Sequence, residues 1–229
     1  MGAHVMSGAL MLPRLPRYPI QLPVLHKPKA LPPTRAGVGW TRNVGEGGAC
    51  VELAEDLKPG MPVCLHFLAN QGPIEAEAQV VWIGEARQGD GGVLHGFTFT
   101  HLAPIHLPVL TDLLLFKGKR KIRDGGVRLP LNLSVACQFK GSAEAVQGWT
   151  GNLSRGGVML RLPWCVPVRT VLRMTLHTPT GPLDEEGLVV WADSLERWPP
   201  GAPVPHGLRF TSLRWSNLLT LGLLLLVPS

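Results

Sequence analysis

An internal duplication is the feature that most constrains how this chain can fold. Residues 40–48 have the sequence WTRNVGEGG and residues 149–157 have WTGNLSRGG, an offset of 109 positions. The tripeptide VVW at residues 80–82 recurs at residues 189–191 with the same offset. A repeat of about 100 residues is long enough for each copy to bury a core of its own. The sequence therefore predicts two copies of one domain.

Two further matches extend the duplication over nearly the whole chain. HGFTFT at residues 95–100 returns as HGLRFT at 206–211, and RYPIQLPV at 17–24 returns as RLPLNLSV at 128–135, both at an offset of 111. Four colinear matches with almost constant spacing exclude a chance resemblance. The predicted units are an N-terminal domain at residues 13–116, a basic linker at 117–128 and a C-terminal domain at 129–229.

The hydrophobic residues within each copy alternate with a period of two, as at residues 63–67 and 172–176. This period is typical of strands with one buried face. With 27 glycines and 22 prolines spread along the chain, many short strands joined by turns are favoured over a helix bundle. Leucine-rich segments at residues 107–116 and 217–227 end the copies and predict a short helix on the open end of each barrel. The expected fold is mainly all-β: two tandem small antiparallel β-barrels, each with a short C-terminal helix.

The positive charge is concentrated at one place. Residues 117–128 contain six of the 22 Lys and Arg residues and one acidic residue, so they carry five of the six net positive charges. A nucleic-acid surface spreads its basic groups over a longer face, so a small anionic ligand is favoured and neither DNA nor RNA is expected. The longest apolar run, residues 218–227, is too short for a membrane span. Four cysteines without a CxxC pair, and no secretory signal, indicate a reduced, cytoplasmic protein.

A family resemblance rests on the second copy. Residues 152–157 form an [Asp/Asn]-x-Ser-x-x-Gly motif, preceded by RLPL at 128–131 and followed by VVW at 189–191 and HGLRF at 206–210. This arrangement resembles the PilZ domain, the bacterial receptor module for cyclic di-GMP. The resemblance covers the chain as two tandem PilZ-like domains. A plain hairpin turn is the alternative interpretation of the motif by itself.

The resemblance implies a site in which an Arg-x-x-x-Arg segment and the motif turn hold the dinucleotide. Guanidinium groups suit this ligand because they bind guanine edges and phosphates with paired hydrogen bonds. The second copy departs from the pattern, since Asp124 occupies the expected position of the first arginine and Arg123 lies one residue early. The candidate ligand-binding residues are Arg123, Arg128, Asn152, Ser154, Arg155 and Gly157.

The first copy departs further from the family pattern. Pro13 occupies the position of the first arginine, and Gly45 replaces the motif serine. We expect this copy to bind weakly or to serve a structural role. Its candidate residues, forming a weaker second site, are Arg14, Arg17, Asn43 and Gly48.

The function expected from the sequence is a signalling receptor that binds cyclic di-GMP at the linker and the C-terminal barrel. A change in the arrangement of the two domains would carry the signal to a protein partner. The alternative is a ligand-free adaptor that makes protein contacts, for example in motility or pilus machinery. Neither catalytic residues nor a metal site is expected, because no nucleophile–base arrangement and no ligand spacing is present.

Overall fold

A computed structural model describes residues 15–29, 35–85, 91–119, 127–139, 141–142 and 144–226. The predicted fold is confirmed: each copy forms a closed antiparallel barrel of six strands with a helix after it. Tight turns and alternating side chains produce this closure, because one face of every strand can be buried while the other remains polar.

The first barrel closes through the strand order β2-β5-β6-β7-β4-β3, with β3 returning to β2. A two-residue strand, β1, pairs with the end of β3. The elements of this copy are β1 (Arg17–Tyr18), β2 (Pro23–Pro28), β3 (Gly37–Gly45), β4 (Gly48–Leu53), β5 (Pro62–Ala69), β6 (Gly72–Ile83), β7 (Val93–Leu102), a 3-10 turn (Pro104–His106) and α1 (Leu107–Lys119).

The second barrel repeats this topology through the order β9-β12-β13-β14-β11-β10, with β10 returning to β9. A short β8 pairs with β10 as β1 pairs with β3. The elements are β8 (Leu129–Pro130), β9 (Ser134–Phe139), β10 (Ala145–Ser154), β11 (Gly157–Leu162), β12 (Val171–Thr178), β13 (Gly181–Ala192), a 3-10 turn (Leu195–Arg197), β14 (Val204–Ser212) and α2 (Trp215–Leu226).

In each copy a buried threonine holds the segment that leads into the first long strand of the barrel. In the first copy Thr41 donates to the carbonyl of Ile20 at 2.6 Å and accepts from the amide of Leu22 at 2.8 Å. Thr150 makes the same pair of bonds to the residues before β9. The pairing register shifts just after each threonine, so a β-bulge precedes the asparagine of each motif turn. The segment before the first barrel strand is thereby held beside that asparagine.

Two equivalent histidines, His95 and His206, have structural roles. His95 accepts a hydrogen bond from the amide of Leu57 on Nε2 and lies 3.0 Å from the carbonyl of Val93 through Nδ1. His206 repeats both contacts in the second copy. Burial lowers the pKa of both imidazoles, because the charged form loses its hydration. Each neutral ring ties a loop to the barrel wall.

The two helices differ in a way that the duplication does not predict. Helix α1 contacts β1 and β6 of its own barrel. Helix α2 packs mainly on β2, β3 and β5 of the first barrel, although it follows the second, to which Asn217 binds it by donating to Oε1 of Glu185 at 2.6 Å. Trp40 of β3 is fully buried and donates its indole N–H to the carbonyl of Leu218 at 3.0 Å, whereas its counterpart Trp149 is 52% exposed. The expectation that each helix covers its own barrel is therefore wrong for α2.

Candidate functional site

The motif turn of the second copy, residues 152–157, lies beside the segment that leads into the second barrel. Strand β8 pairs with β10 so that Leu129 faces Leu153 and Pro130 faces Asn152. This pairing places Arg128 next to the turn, with its Nη1 atom 3.5 Å from Oδ1 of Asn152. Arg128 itself is exposed. The structure thus brings together two of the predicted site residues, with a charged guanidinium open to solvent.

Two other motif residues shape the turn. The Ser154 hydroxyl is buried and donates to the carbonyl of Gly157 at 3.3 Å. A Cβ atom at Gly157 would lie 2.1 Å from the carbonyl oxygen of Leu208 on β14. Only glycine therefore allows β11 to approach β14 this closely. Both residues hold the turn that presents Asn152.

Arg155 reaches across to the first barrel. Its Nη2 atom lies 2.5 Å from Oε2 of Glu52 on β4. The Glu52 side chain is 1% exposed, and its same oxygen also binds Nη2 of Arg42 at 2.6 Å. The Arg155 guanidinium also lies over the ring of Trp215, the first residue of α2, with its carbon 5.7 Å from the ring centroid. A predicted ligand-binding residue is thus part of a contact between the two copies.

The site predicted in the first copy contains a cavity of about 610 Å³. Arg17 reaches the glycines of this turn, because its Nη2 atom lies 3.2 Å from the position that a Cβ of Gly48 would occupy. Asn43 is not part of the lining, and its Oδ1 atom is buried without a partner among the described residues. The cavity is lined by Leu15, Arg17, Gly45, Gly47, Gly48, Val81, Trp82 and Thr98.

Neither Trp82 nor Arg209 is among the candidate residues selected from the sequence. Trp82 is 41% exposed on the cavity wall, while its indole covers Gly96, where a Cβ would lie 2.0 Å from Nε1. Thr98 also lies on that wall and pairs with Gly48. Its counterpart in the second copy is the exposed Arg209, which pairs with Gly157. The replacement of Thr in HGFTFT by Arg in HGLRFT was the sequence signal that could have identified Arg209 as a site residue.

Two predicted residues, Arg14 and Arg123, lie outside the described residues, as do residues 120–126 of the basic linker. Over the described ranges, no three His, Cys, Asp or Glu side chains come together in a way that could hold a metal ion. Among these same ranges, no helix has both the length and the apolar character needed to cross a membrane.

Together, the two closed barrels and their asparagine-containing turns define a tandem small-barrel protein with one candidate site per copy. The model of the PilZ domain family matches residues 13–116 and 120–224. The chain therefore belongs to the PilZ family, as its motif suggested. A comparison with curated proteins finds no similar sequence.

Several solved structures resemble this chain at low sequence identity. The inhibitor of motility MotI/DgrA from Bacillus subtilis is 15% identical, with a TM-score of 0.38, over 89% of this chain and 95% of that one. PlzA from Borreliella burgdorferi, in complex with c-di-GMP, is 13% identical, with a TM-score of 0.38, over 89% and 92%. The PilZ domain of YcgR from Escherichia coli, with c-di-GMP, is 18% identical, with a TM-score of 0.39, over 46% and 91%.

Proposed function

We propose that this protein is a receptor for cyclic di-GMP and that the ligand binds at the motif turn of the second copy. The observation that carries this proposal is the proximity of Arg128 to Asn152, with 3.5 Å between Nη1 and Oδ1. Membership of the PilZ family supports the same ligand. We propose Arg123 of the linker as the partner of Arg128 in the arginine pair.

The chemistry of the site suits a guanine dinucleotide. The exposed Arg128 can bind O6 and N7 of guanine with two hydrogen bonds or pair with a phosphodiester. Asn152 offers both an acceptor and donors to a base edge. Arg209, opposite Gly157 in the register, adds a further positive charge at this end of the barrel. Ser154 and Gly157 keep the turn in the conformation that presents these groups.

The first copy is proposed as a weaker site. Its cavity contains one arginine, Arg17, and the motif serine is replaced by Gly45. Trp82 offers an aromatic face for stacking, but Thr98 stands where the second copy has Arg209. With fewer cationic groups, this site is expected to bind an anionic dinucleotide less tightly.

The signal is proposed to be a change in the arrangement of the two barrels. The motif turn contacts the first barrel through Arg155, and the C-terminal helix of the second copy packs on the first barrel. A ligand at the turn would therefore act where the copies meet. A conformational change of this kind requires different affinities of the ligand for the two arrangements.

Isothermal titration of the full chain with cyclic di-GMP tests the proposal. Arg128→Ala should weaken binding at least about five-fold, since a bidentate contact to guanine contributes about 1–3 kcal/mol. Arg17→Ala is the matched control, because Arg17 is the counterpart of Arg128, and it should change the affinity of the second-copy site less than two-fold. Absence of heat with the wild-type chain, or equal losses in both variants, would refute the assignment.

The second candidate function is a ligand-free adaptor that contacts other proteins. The engagement of Arg155 with Glu52 favours it, since this guanidinium already has an anionic partner. Thermal melting separates the two functions. A receptor at a ligand concentration 100 times its Kd gains about 2.7 kcal/mol of stability, whereas an adaptor gains none.

A further inference from the structure

Four side chains join the motif turn to the first barrel, and we name them the bridging cluster: Arg42, Glu52, Arg155 and Trp215. Glu52 comes from β4 and Arg42 from β3 of the first copy, while Arg155 comes from the turn of the second copy. Trp215 begins α2, the helix that packs on the first barrel. The cluster thus joins the motif turn of the second copy, the wall of the first barrel and the start of α2.

We infer that Arg155 is a switch residue that exchanges Glu52 for a phosphate of the bound dinucleotide, releasing the contact between the barrels. This inference rests on the proposed binding of cyclic di-GMP at the motif turn. It adds the identity of the group that transmits the binding event, and it assigns Glu52 and Trp215 as residues that hold the unliganded arrangement.

The position of Arg155 in the turn makes this exchange possible. Its neighbours are Ser154, whose hydroxyl is held within the turn, and Gly156, around which there is open space. A long side chain at such a position can change direction while the turn keeps its backbone conformation. The guanidinium stays charged at all physiological pH values, so a phosphate competes directly with Glu52 for it.

Because Glu52 has two arginine partners, the first barrel can lose its contact with Arg155 without a large loss of stability. A buried carboxylate that loses its only cationic partner is strongly destabilising. Here both arginines bind the same oxygen, Oε2, at 2.5 Å for Arg155 and 2.6 Å for Arg42. When Arg155 leaves, Arg42 still neutralises Glu52. The two arrangements can therefore lie close in free energy, as a switch requires.

Trp215 couples the exchange to α2. Trp215 is 9% exposed, and its ring lies beneath the Arg155 guanidinium. The ring also touches the first barrel, because a Cβ at Gly92 would lie 2.5 Å from its Cζ2 atom. Withdrawal of Arg155 removes a cation–π contact at the start of the helix. The first turn of α2 is therefore expected to loosen when ligand binds.

The test combines titration with amide hydrogen exchange on the full chain, using cyclic di-GMP as the probe. Glu52→Gln keeps the side-chain size but removes the charge that competes with phosphate. It should bind cyclic di-GMP about five- to ten-fold more tightly than the wild type. Amides of residues 215–226 should exchange faster on ligand addition in the wild type, and should already exchange faster without ligand in the variant.

Two further variants complete the design. Trp215→Leu removes the ring beneath Arg155 while leaving Glu52 in place, and it should shift affinity and exchange in the same direction even if Glu52→Gln folds poorly. Glu186→Gln is the control, because it makes the same charge change in an exposed ion pair with Arg173. It should leave affinity and exchange unchanged.

The outcomes separate the two proposals. If wild-type protein binds cyclic di-GMP but the Glu52 and Trp215 variants bind with wild-type affinity and the exchange of α2 is insensitive to ligand, the switch is refuted and the receptor function stands. If wild-type protein does not bind, the receptor function fails and the switch fails with it.

Discussion

Substitution of Gly222 by alanine tests whether α2 packs on the first barrel. Gly222 lies in the middle of α2, where a Cβ atom would be 2.9 Å from Nε1 of Trp40 and 3.2 Å from Cγ1 of Val38. The Trp40 ring cannot easily retreat, because it is fully buried and its Nε1–H is bonded to the carbonyl of Leu218.

The two effects of Gly222→Ala have opposite signs. Alanine is favoured over glycine in a helix interior by about 1 kcal/mol. Overpacking a well-filled core costs about 1–3 kcal/mol. We therefore expect a net loss of about 1 kcal/mol, which corresponds to a Tm lower by roughly 3 °C for a chain of this size. Without contact to Trp40 the sign reverses, and the Tm would rise by a similar amount.

Urea denaturation followed by circular dichroism measures this difference, with Thr220→Ala as the control on the same helix. Thr220 is partly exposed, and its hydroxyl donates to the carbonyl of Ser216 within the helix. Its replacement should be neutral or slightly stabilising because alanine has the higher helix propensity. A Gly222→Ala variant as stable as the Thr220→Ala variant would show that α2 does not rest on the first barrel.

Two further predictions concern buried groups. Burial lowers the pKa of His206 in the folded chain. Below a pH of about 6.5 the unfolded chain therefore binds more protons than the folded chain, and the stability should decrease as the pH falls further. Melting at pH 7.5 and 5.5 should show a smaller loss for His206→Gln than for the wild type, and equal losses would contradict this assignment. Among the cysteines, exposed Cys165 should react with iodoacetamide in the native state, whereas burial raises the pKa of Cys137 to about 12 and should protect it until the chain unfolds. Mass spectrometry of native and urea-treated protein checks this order, and early modification of Cys137 would contradict it.

The architecture was predictable because its signals are local and repeated. The period of two identified the strands, and the duplication made every assignment in one copy a check on the other. The bulge before Asn152 lies outside such reasoning, since it depends on which residues of β10 and β11 face one another. Arg209 was missed for the same reason: its position opposite Gly157 is a matter of strand register, which alternation alone does not fix.

The strand-rich fold, the two-barrel division and the family were all contained in the amino-acid sequence, because hydrophobic periodicity and turn chemistry act over neighbouring residues and the duplication repeats them. The partner of α2 and the partner of Arg155 were decided only in the folded chain. Glu52 and Arg155 are 103 positions apart, and Trp40 and Leu218 are 178 apart. Contacts at such separations form between surfaces that exist only after both barrels have closed. The two copies share one fold and offered α2 two equivalent faces, and packing on Trp40, which left Trp149 exposed, determined which of them it covers.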